Sequence, residues 1–361
     1  MTLAVLLVAT LTVVVIPWRD ADADPVTDGP QSRLDELVEG GTASAALLRV
    51  TDDGRTWRGV AGTARLDSPG RPDRDGYFRI GSVTKTFVAT VVAQLVDEKR
   101  FDWDDPIDDL LPGVVPAGEA VTVRHLLNHT SGLYDYMHEE GYSTNRWRGD
   151  ARFDHHESSE LLDVAFGHDP YFEPGDGWHY SNTNYLVLGL LIETSTGMPY
   201  GDAVEQRILE PLRLRHTTIP GDEPGLPHPH AHGYSIVDGR TVDATRMNPS
   251  LDGPAGEMIS TAADLEAFLG ALLDARLTSV GALEQLTGFV DTGTDFDYGL
   301  GLQRFVLPCG STLTGSSGQL LGYTTYVTSD GNGRMMTLSV NPFGELDPVA
   351  MMAVVTDVYC A

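Results

Sequence analysis

The chain has 361 residues, 24 basic against 52 acidic side chains, and a formal charge of −28. A field of that sign repels phosphate backbones, which excludes nucleic acid as a partner. Apolar residues make up 41% of the chain, enough for a large core in one catalytic domain or two intimately joined subdomains.

In chain order, residues 3–16 form an apolar run too short to span a bilayer comfortably, followed by the small-x-small pattern Ala21-Asp22-Ala23. Residues 1–23 are therefore expected to be a signal peptide or N-terminal anchor, although no basic residue precedes the run. Residues 24–361 form the domain, which is predicted to be secreted or to lie on the exterior of the cell envelope. An uncleaved anchor would be its one membrane contact. Cys309 and Cys360 are the two cysteines, and a pair in an exported protein is expected to bridge rather than to remain as two buried thiols. Closing a loop of this size stabilises by about 4 kcal/mol in the chain-entropy model.

A short amphipathic helix is expected at 32–38, then strands at 44–51, 56–64 and 77–80, with Asp52-Asp53-Gly54 as a hairpin turn. At Ser82 the apolar period changes. Phe87, Val88, Val91, Val92, Leu95 and Val96 recur at helical spacing, so Ser82 opens a helix with a buried stripe. Further helices are predicted at 123–128, 183–194, 202–208 and 261–273, separated by loops such as 220–233. Strands return at 299–306, 322–329 and 334–340, and 348–359 reads as a closing helix. Strands at both ends with helices between them imply an α+β fold. One antiparallel sheet (about 32–81 and 296–361) is flanked by terminal helices, with a helical lobe (about 82–295) inserted.

Only two lysines stand against 22 arginines, and Lys85 lies three residues after Ser82. Arginine stays charged at any accessible pH, whereas a desolvated lysine can lose its proton and act as a base. Three residues is about one helical turn, so the hydroxyl and the amine share a face. Alone, a Ser-x-x-Lys pattern is weak, because a helix-capping serine beside a solvent-facing lysine gives the same letters. Two later clusters add weight: His179-Tyr180-Ser181-Asn182-Thr183-Asn184-Tyr185 before a helix, and Thr314-Gly315-Ser316-Ser317-Gly318-Gln319 before a strand.

Ser-x-x-Lys, Tyr-x-Asn and a hydroxyl-Gly strand, in that order, resemble the set carried by penicillin-recognising serine enzymes. Residues 78–82, 121–136, 180–185 and 298–302 extend the resemblance to the class C β-lactamase-related serine hydrolases, with the D-alanyl-D-alanine carboxypeptidase/transpeptidase type nearest. The resemblance covers about residue 32 to the end, and Cys309 and Cys360 match that type's disulfide. It implies the serine β-lactamase/DD-peptidase fold, acylation of Ser82, and Lys85 or Tyr180 as the base. Asn182 would bind the acyl side-chain amide, and the backbone N–H groups of Ser82 and Gln319 would form an oxyanion hole.

The third cluster departs from that pattern. Ser316-Ser317-Gly318 stands where the family has His-Thr-Gly or Lys-Thr-Gly, and Gln303 stands where the carboxypeptidase has its carboxylate-binding arginine, with Arg304 beside it. An ester, an amide or an altered peptide is thus as plausible a substrate as peptidyl-D-alanyl-D-alanine. The histidines of 228–232 lack the continuation of a metallo-hydrolase, and the acidic stretch 102–109 lacks the glycine and glutamate of a calcium loop, so no metal is assigned. The resulting expectation is a cofactor-free, monomeric, exported D-alanyl-D-alanine carboxypeptidase-like hydrolase acting on a small peptide. A β-lactamase or esterase is the alternative within the class. A non-catalytic peptide- or muropeptide-binding protein of the same fold is the alternative outside it.

Overall fold

The computed structural model describes residues 29–343 and 348–360; the expected leader or anchor at 1–23 lies outside them. The N-terminal helix α1 (Gly29–Glu39) leads into the hairpin β1 (Ala43–Asp52) and β2 (Arg55–Gly62), closed by the two-residue turn Asp53-Gly54. Next come the short strand β3 (Phe78–Arg79), a single 3₁₀ turn Gly81–Val83, and helix α2 (Thr84–Asp97). The lobe follows with α3 (Ile107–Leu110), α4 (Val123–Leu127), α5 (Ser158–Phe166) and α6 (Thr183–Thr196). A near-continuous segment of α7 (Tyr200–Val204), a π turn Glu205–Leu209 and α8 (Glu210–Leu212) comes next.

A small hairpin, β4 (Tyr234–Val237) and β5 (Arg240–Asp243), projects from the lobe, and β6 (Ile259–Ser260) pairs with β3. Helices α9 (Ala262–Leu273) and α10 (Val280–Leu286) lead into β7 (Val290–Asp291), β8 (Asp297–Tyr298), β9 (Gln303–Val306), β10 (Thr312–Leu320), β11 (Tyr323–Ser329) and β12 (Met335–Pro342). The chain closes on α11 (Pro348–Cys360). The main sheet is antiparallel in the order β2-β1-β12-β11-β10-β9-β8-β7, so both ends of the domain build it. This is the single antiparallel sheet with an inserted helical lobe expected from the strand-helix-strand order. Among the described residues no helix is long and apolar enough to cross a membrane.

Two cores lie on the two faces of the sheet. Leu34, Leu48, Val50, Leu338, Val354 and Val358 pack the terminal helices α1 and α11 against one face. The other face shares a larger core with the lobe, through Leu47, Phe87, Val91, Leu126, Tyr185 and Phe268. Helix α2 runs through this second core and is buried almost all round, not along one stripe, because sheet, α6 and α9 enclose it. The rings of Phe87 and Phe268 stack with centroids 3.6 Å apart. The apolar side chains of α2, at about 2 kcal/mol each, anchor its first turn against the cost of desolvating the polar groups it carries.

Several boundaries differ from the sequence reading. Residues 312–320 are one nine-residue strand, so Ser316-Ser317-Gly318 lies inside β10 and not in a turn ahead of it. Residues 234–243 form a hairpin in a region with no strand expectation, because their alternation is short and half-exposed. Ser82 precedes the α-helix by one 3₁₀ turn. The sheet begins slightly earlier than residue 296, at Val290 in β7, and α9 packs beneath β11 and β12. Cys309 and Cys360 are bonded, joining the loop after β9 to the end of α11.

Candidate active site

Two glycines bring the serine turn against the sheet. Gly81 takes φ +51°, and a Cβ placed on it would lie 2.7 Å from the Gln319 nitrogen. A Cβ on Gly318 would lie 2.0 Å from the Ile80 carbonyl oxygen and 2.7 Å from the Ser82 nitrogen. No side chain fits at either position, so the backbones of the serine turn and β10 touch directly. That contact sets the amides of Ser82 and Gln319 on one lip of a cavity of about 290 Å³ between sheet and lobe. Ser82, Tyr180, Asn182, Ser317, Gly318 and Gln319 line it.

On the lobe side, five residues from three distant stretches form one hydrogen-bonded chain. Tyr180 Oη donates to Ser82 Oγ at 2.7 Å, and Lys85 Nζ lies 3.2 Å from the same oxygen. Lys85 Nζ also donates to Asn182 Oδ1 at 2.8 Å and to the Ala255 carbonyl at 2.6 Å. Asn182 Nδ2 donates to Asp135 Oδ2 at 2.9 Å, which fixes the amide with its oxygen toward the lysine. Asp135 is held in turn by the Met137 N–H at 3.1 Å.

Lys85 is fully buried, and burial pulls its amine down to about 7, against the upward pull of the Asp135 and Asp252 carboxylates. Burial pushes the Tyr180 phenol well above its ordinary value. Near neutrality Tyr180 is therefore a neutral phenol, and Lys85 is divided about evenly between amine and ammonium. A neutral amine has two N–H donors and one lone pair. The two carbonyl oxygens of Asn182 and Ala255 take the donors, and the lone pair is left for the Ser82 hydroxyl. The geometry can thus carry a proton from Ser82 to Lys85 while Tyr180 holds another beside the same oxygen.

The profile of the Beta-lactamase family matches residues 31–358. The chain belongs to the beta-lactamase family. It is 32% identical over 266 residues to penicillin-binding protein 4* of Bacillus subtilis, covering 69% of this chain and 56% of that protein. It is 29% identical to penicillin-binding protein 4 of Amycolatopsis lactamdurans, covering 83% and 82%. The chain thus spans little more than half the length of the Bacillus relative. Among solved structures, a D-stereospecific amidohydrolase from Streptomyces sp. superposes with a TM-score of 0.85 at 36% identity, over 92% of this chain and 98% of that one. A D-amino acid amidase from Ochrobactrum anthropi, complexed with D-phenylalanine, gives 0.82 at 28%, over 93% and 99%. That family is one of serine hydrolases with the beta-lactamase fold.

Within this family framework the structure brings Ser82, Lys85, Tyr180 and Asn182 into bonding contact and sets Ser317, Gly318, Gln319 and Gln303 on the cavity wall. It does not bring all the expected binding residues there. Alternation along β10 puts Ser316 on the face shared with Gly318, where it is buried and outside the cavity lining. Arg304 points to the opposite face of β9 from Gln303. It donates to Asp297 Oδ2 at 2.8 and 2.6 Å and stacks over Phe289 at 5.0 Å. An arginine next in sequence to a wall residue cannot serve that wall, because strand neighbours face opposite ways.

Three residues with no role in the sequence reading shape the site. Asp135 orients Asn182. His129 lies beneath Tyr180 with ring centroids 4.3 Å apart and accepts from Ser181 N and Asn184 Nδ2. Asp252, between two 3₁₀ turns, lines the cavity and accepts from Thr144 Oγ1 at 2.9 Å. Asp135 and His129 sit inside the stretch that carries the family resemblance, so a signal existed for them. Asp252 sits in an irregular loop and had none.

The three histidines of 228–232 stack on one another, and His230 and His232 are occupied by the Pro227 carbonyl and by Asp243. Among the described residues no group of three or more His, Cys, Asp or Glu side chains is arranged to hold a metal.

Proposed function

We propose that this chain is an exported serine amidohydrolase, acylated on Ser82 by amides or short peptides of D-amino acids. The observation that carries the reading is Lys85, an amine brought to about 7, bonded to two carbonyl oxygens and to the Ser82 hydroxyl. Ser82 Oγ attacks the amide carbon as its proton passes to Lys85 Nζ. The Ser82 and Gln319 amides receive the charge that develops on the carbonyl oxygen. Tyr180 gives its proton to the departing amine as that bond breaks, and a proton from the Lys85 ammonium then restores the phenol. Water then enters by the same route in reverse, and Ser82 and the free acid are released.

The amide reading is supported over a D-alanyl-D-alanine carboxypeptidase by the composition of the wall. Gln303 is neutral, Ser316 is uncharged and buried outside the cavity lining, and Arg304 is tied to Asp297. Among the described residues that line this cavity there is no lysine or arginine to meet a free C-terminal carboxylate. The likeness to a D-stereospecific amidohydrolase and a D-amino acid amidase favours the same substrate class. Acylation by a β-lactam is the second reading, favoured by the two penicillin-binding relatives. The apolar run at 3–16 and the Cys309–Cys360 bond support export.

Chiral chromatography of the products from D- and L-phenylalaninamide tests the reading. Release of D-phenylalanine, absent with Ser82→Ala, is expected. Release of D-alanine from a D-Ala-D-Ala peptide, with both amides left intact, would overturn it.

A further inference from the structure

The Lys85–Ser82–Tyr180 chain is internally satisfied, but part of the cavity wall is not. Among the described residues three buried side-chain oxygens on that wall have no hydrogen-bond partner: Asp252 Oδ2, Gln303 Oε1 and Thr324 Oγ1. All three can accept, and the first two can do nothing else while Asp252 is ionised. Buried acceptors without donors are costly, and a site that leaves them so is shaped for a ligand that brings N–H groups. It is the opposite of a carboxylate site.

Asp252 is the charged member. Among the described residues no ion pair holds it, and its one side-chain partner is the Thr144 hydroxyl. It lines the same cavity as Ser82 and Tyr180, and its carboxylate raises the Lys85 amine. In an amino-acid amide the α-nitrogen is two bonds from the carbonyl carbon, about 2.5 Å away. An ammonium on the acyl residue must therefore sit beside Ser82, within the field of Asp252. Oδ2 is covered by its neighbours, so seating the ammonium takes a rotation of the carboxylate about Cβ–Cγ, a broad and soft torsion.

We propose that Asp252 anchors the free α-ammonium group of the substrate's acyl residue, which makes the enzyme selective for unblocked amino-acid amides and N-terminal residues. Gln303 and Thr324 accept further N–H groups of the same ligand. This deepens the amidohydrolase reading and rests on it. It adds that the enzyme works from the amino end, where a carboxypeptidase would need a free carboxylate.

The test compares kcat/KM for D-phenylalaninamide, its N-acetyl derivative and the des-amino analogue 3-phenylpropanamide, in the wild type and in Asp252→Asn. Each acyl group is also presented as its methyl ester. The wild type is expected to favour the free amine by about 100-fold. Asp252→Asn should lose about 100-fold more on the free amine than on the other two, so that the preference collapses. Equal losses on all three, or a wild type that accepts the blocked substrates as well, would overturn the anchor. The wild-type comparison stands even if the variant does not fold. If the esters show the preference while no amide is cleaved, the amidohydrolase reading fails and the anchor survives. If no free-amine substrate of either kind is turned over, the anchor fails too.

Discussion

The cavity has two kinds of wall, and they are finished to different degrees. Around the nucleophile nearly every polar atom has its partner: Lys85 Nζ touches three oxygens, Ser82 Oγ two groups, and Asn182 is held at both ends. Where Asp252, Gln303 and Thr324 line the cavity, each leaves a buried oxygen unmatched. A saturated wall is preorganised, so its geometry is the same before and during reaction. An unsatisfied wall is completed by whatever binds. The comparison separates chemistry, which the fold has already arranged, from selectivity, which awaits a ligand of the right donor pattern.

The sharpest way to break the first half of that comparison is Ser82→Ala, expected to lower kcat by about 10⁶-fold and to abolish covalent labelling on intact-mass analysis. Lys85→Arg keeps the positive charge but removes the lone pair; a fall of about 10³-fold in acylation rate is expected by stopped-flow. If the variant stays within about tenfold of wild type, Lys85 is not the base. Gly318→Ala pushes β10 away from the serine turn, because its methyl would meet the Ile80 carbonyl and the Ser82 amide. A loss of about 3 kcal/mol in urea unfolding and most of the activity is expected.

A gentler probe sharpens the electrostatic part. The Asp135 carboxylate raises the Lys85 amine, so Asp135→Asn removes a partner of the charged form. Since only neutral Lys85 accepts the proton, activity rises with pH through the lysine value. The variant's acid limb should therefore move below the wild-type midpoint of about 7 in a kcat/KM profile. A shift upward would contradict the assignment. Smallest in its effect on catalysis, Cys309→Ser with Cys360→Ser should cost about 4 kcal/mol of stability, read as a lower Tm, with kcat nearly unchanged. That bond joins the chain end to a sheet loop and touches none of the cavity residues.

Sequence made the reaction wall legible because its residues are chemically unusual where they stand. A lysine in an arginine-rich chain, one turn after a serine at the start of an apolar helix, is improbable as decoration. The sheet-lobe-sheet order was equally readable, since long apolar segments carry clear periodicity. The recognition wall was harder. Ser316-Ser317-Gly318 is poor in β-formers and held in β10 by pairing with β11, so tertiary pairing overrode local preference. Arg304 was misplaced because a count along the chain ignores which face of a strand a residue takes. Asp252 reaches the cavity only through two successive 3₁₀ turns, a path that leaves no period to read.

The pH dependence of Ser82 acylation tests the central claim most directly. The enzyme is mixed with a fluorescent penicillin across pH 5 to 10, quenched, and the labelled peptide identified and timed by mass spectrometry. The account predicts a label on the peptide containing Ser82, with a rate that climbs to a plateau around a midpoint of about 7. A label on another residue, or a rate still climbing near the ordinary lysine value of about 10, would contradict it.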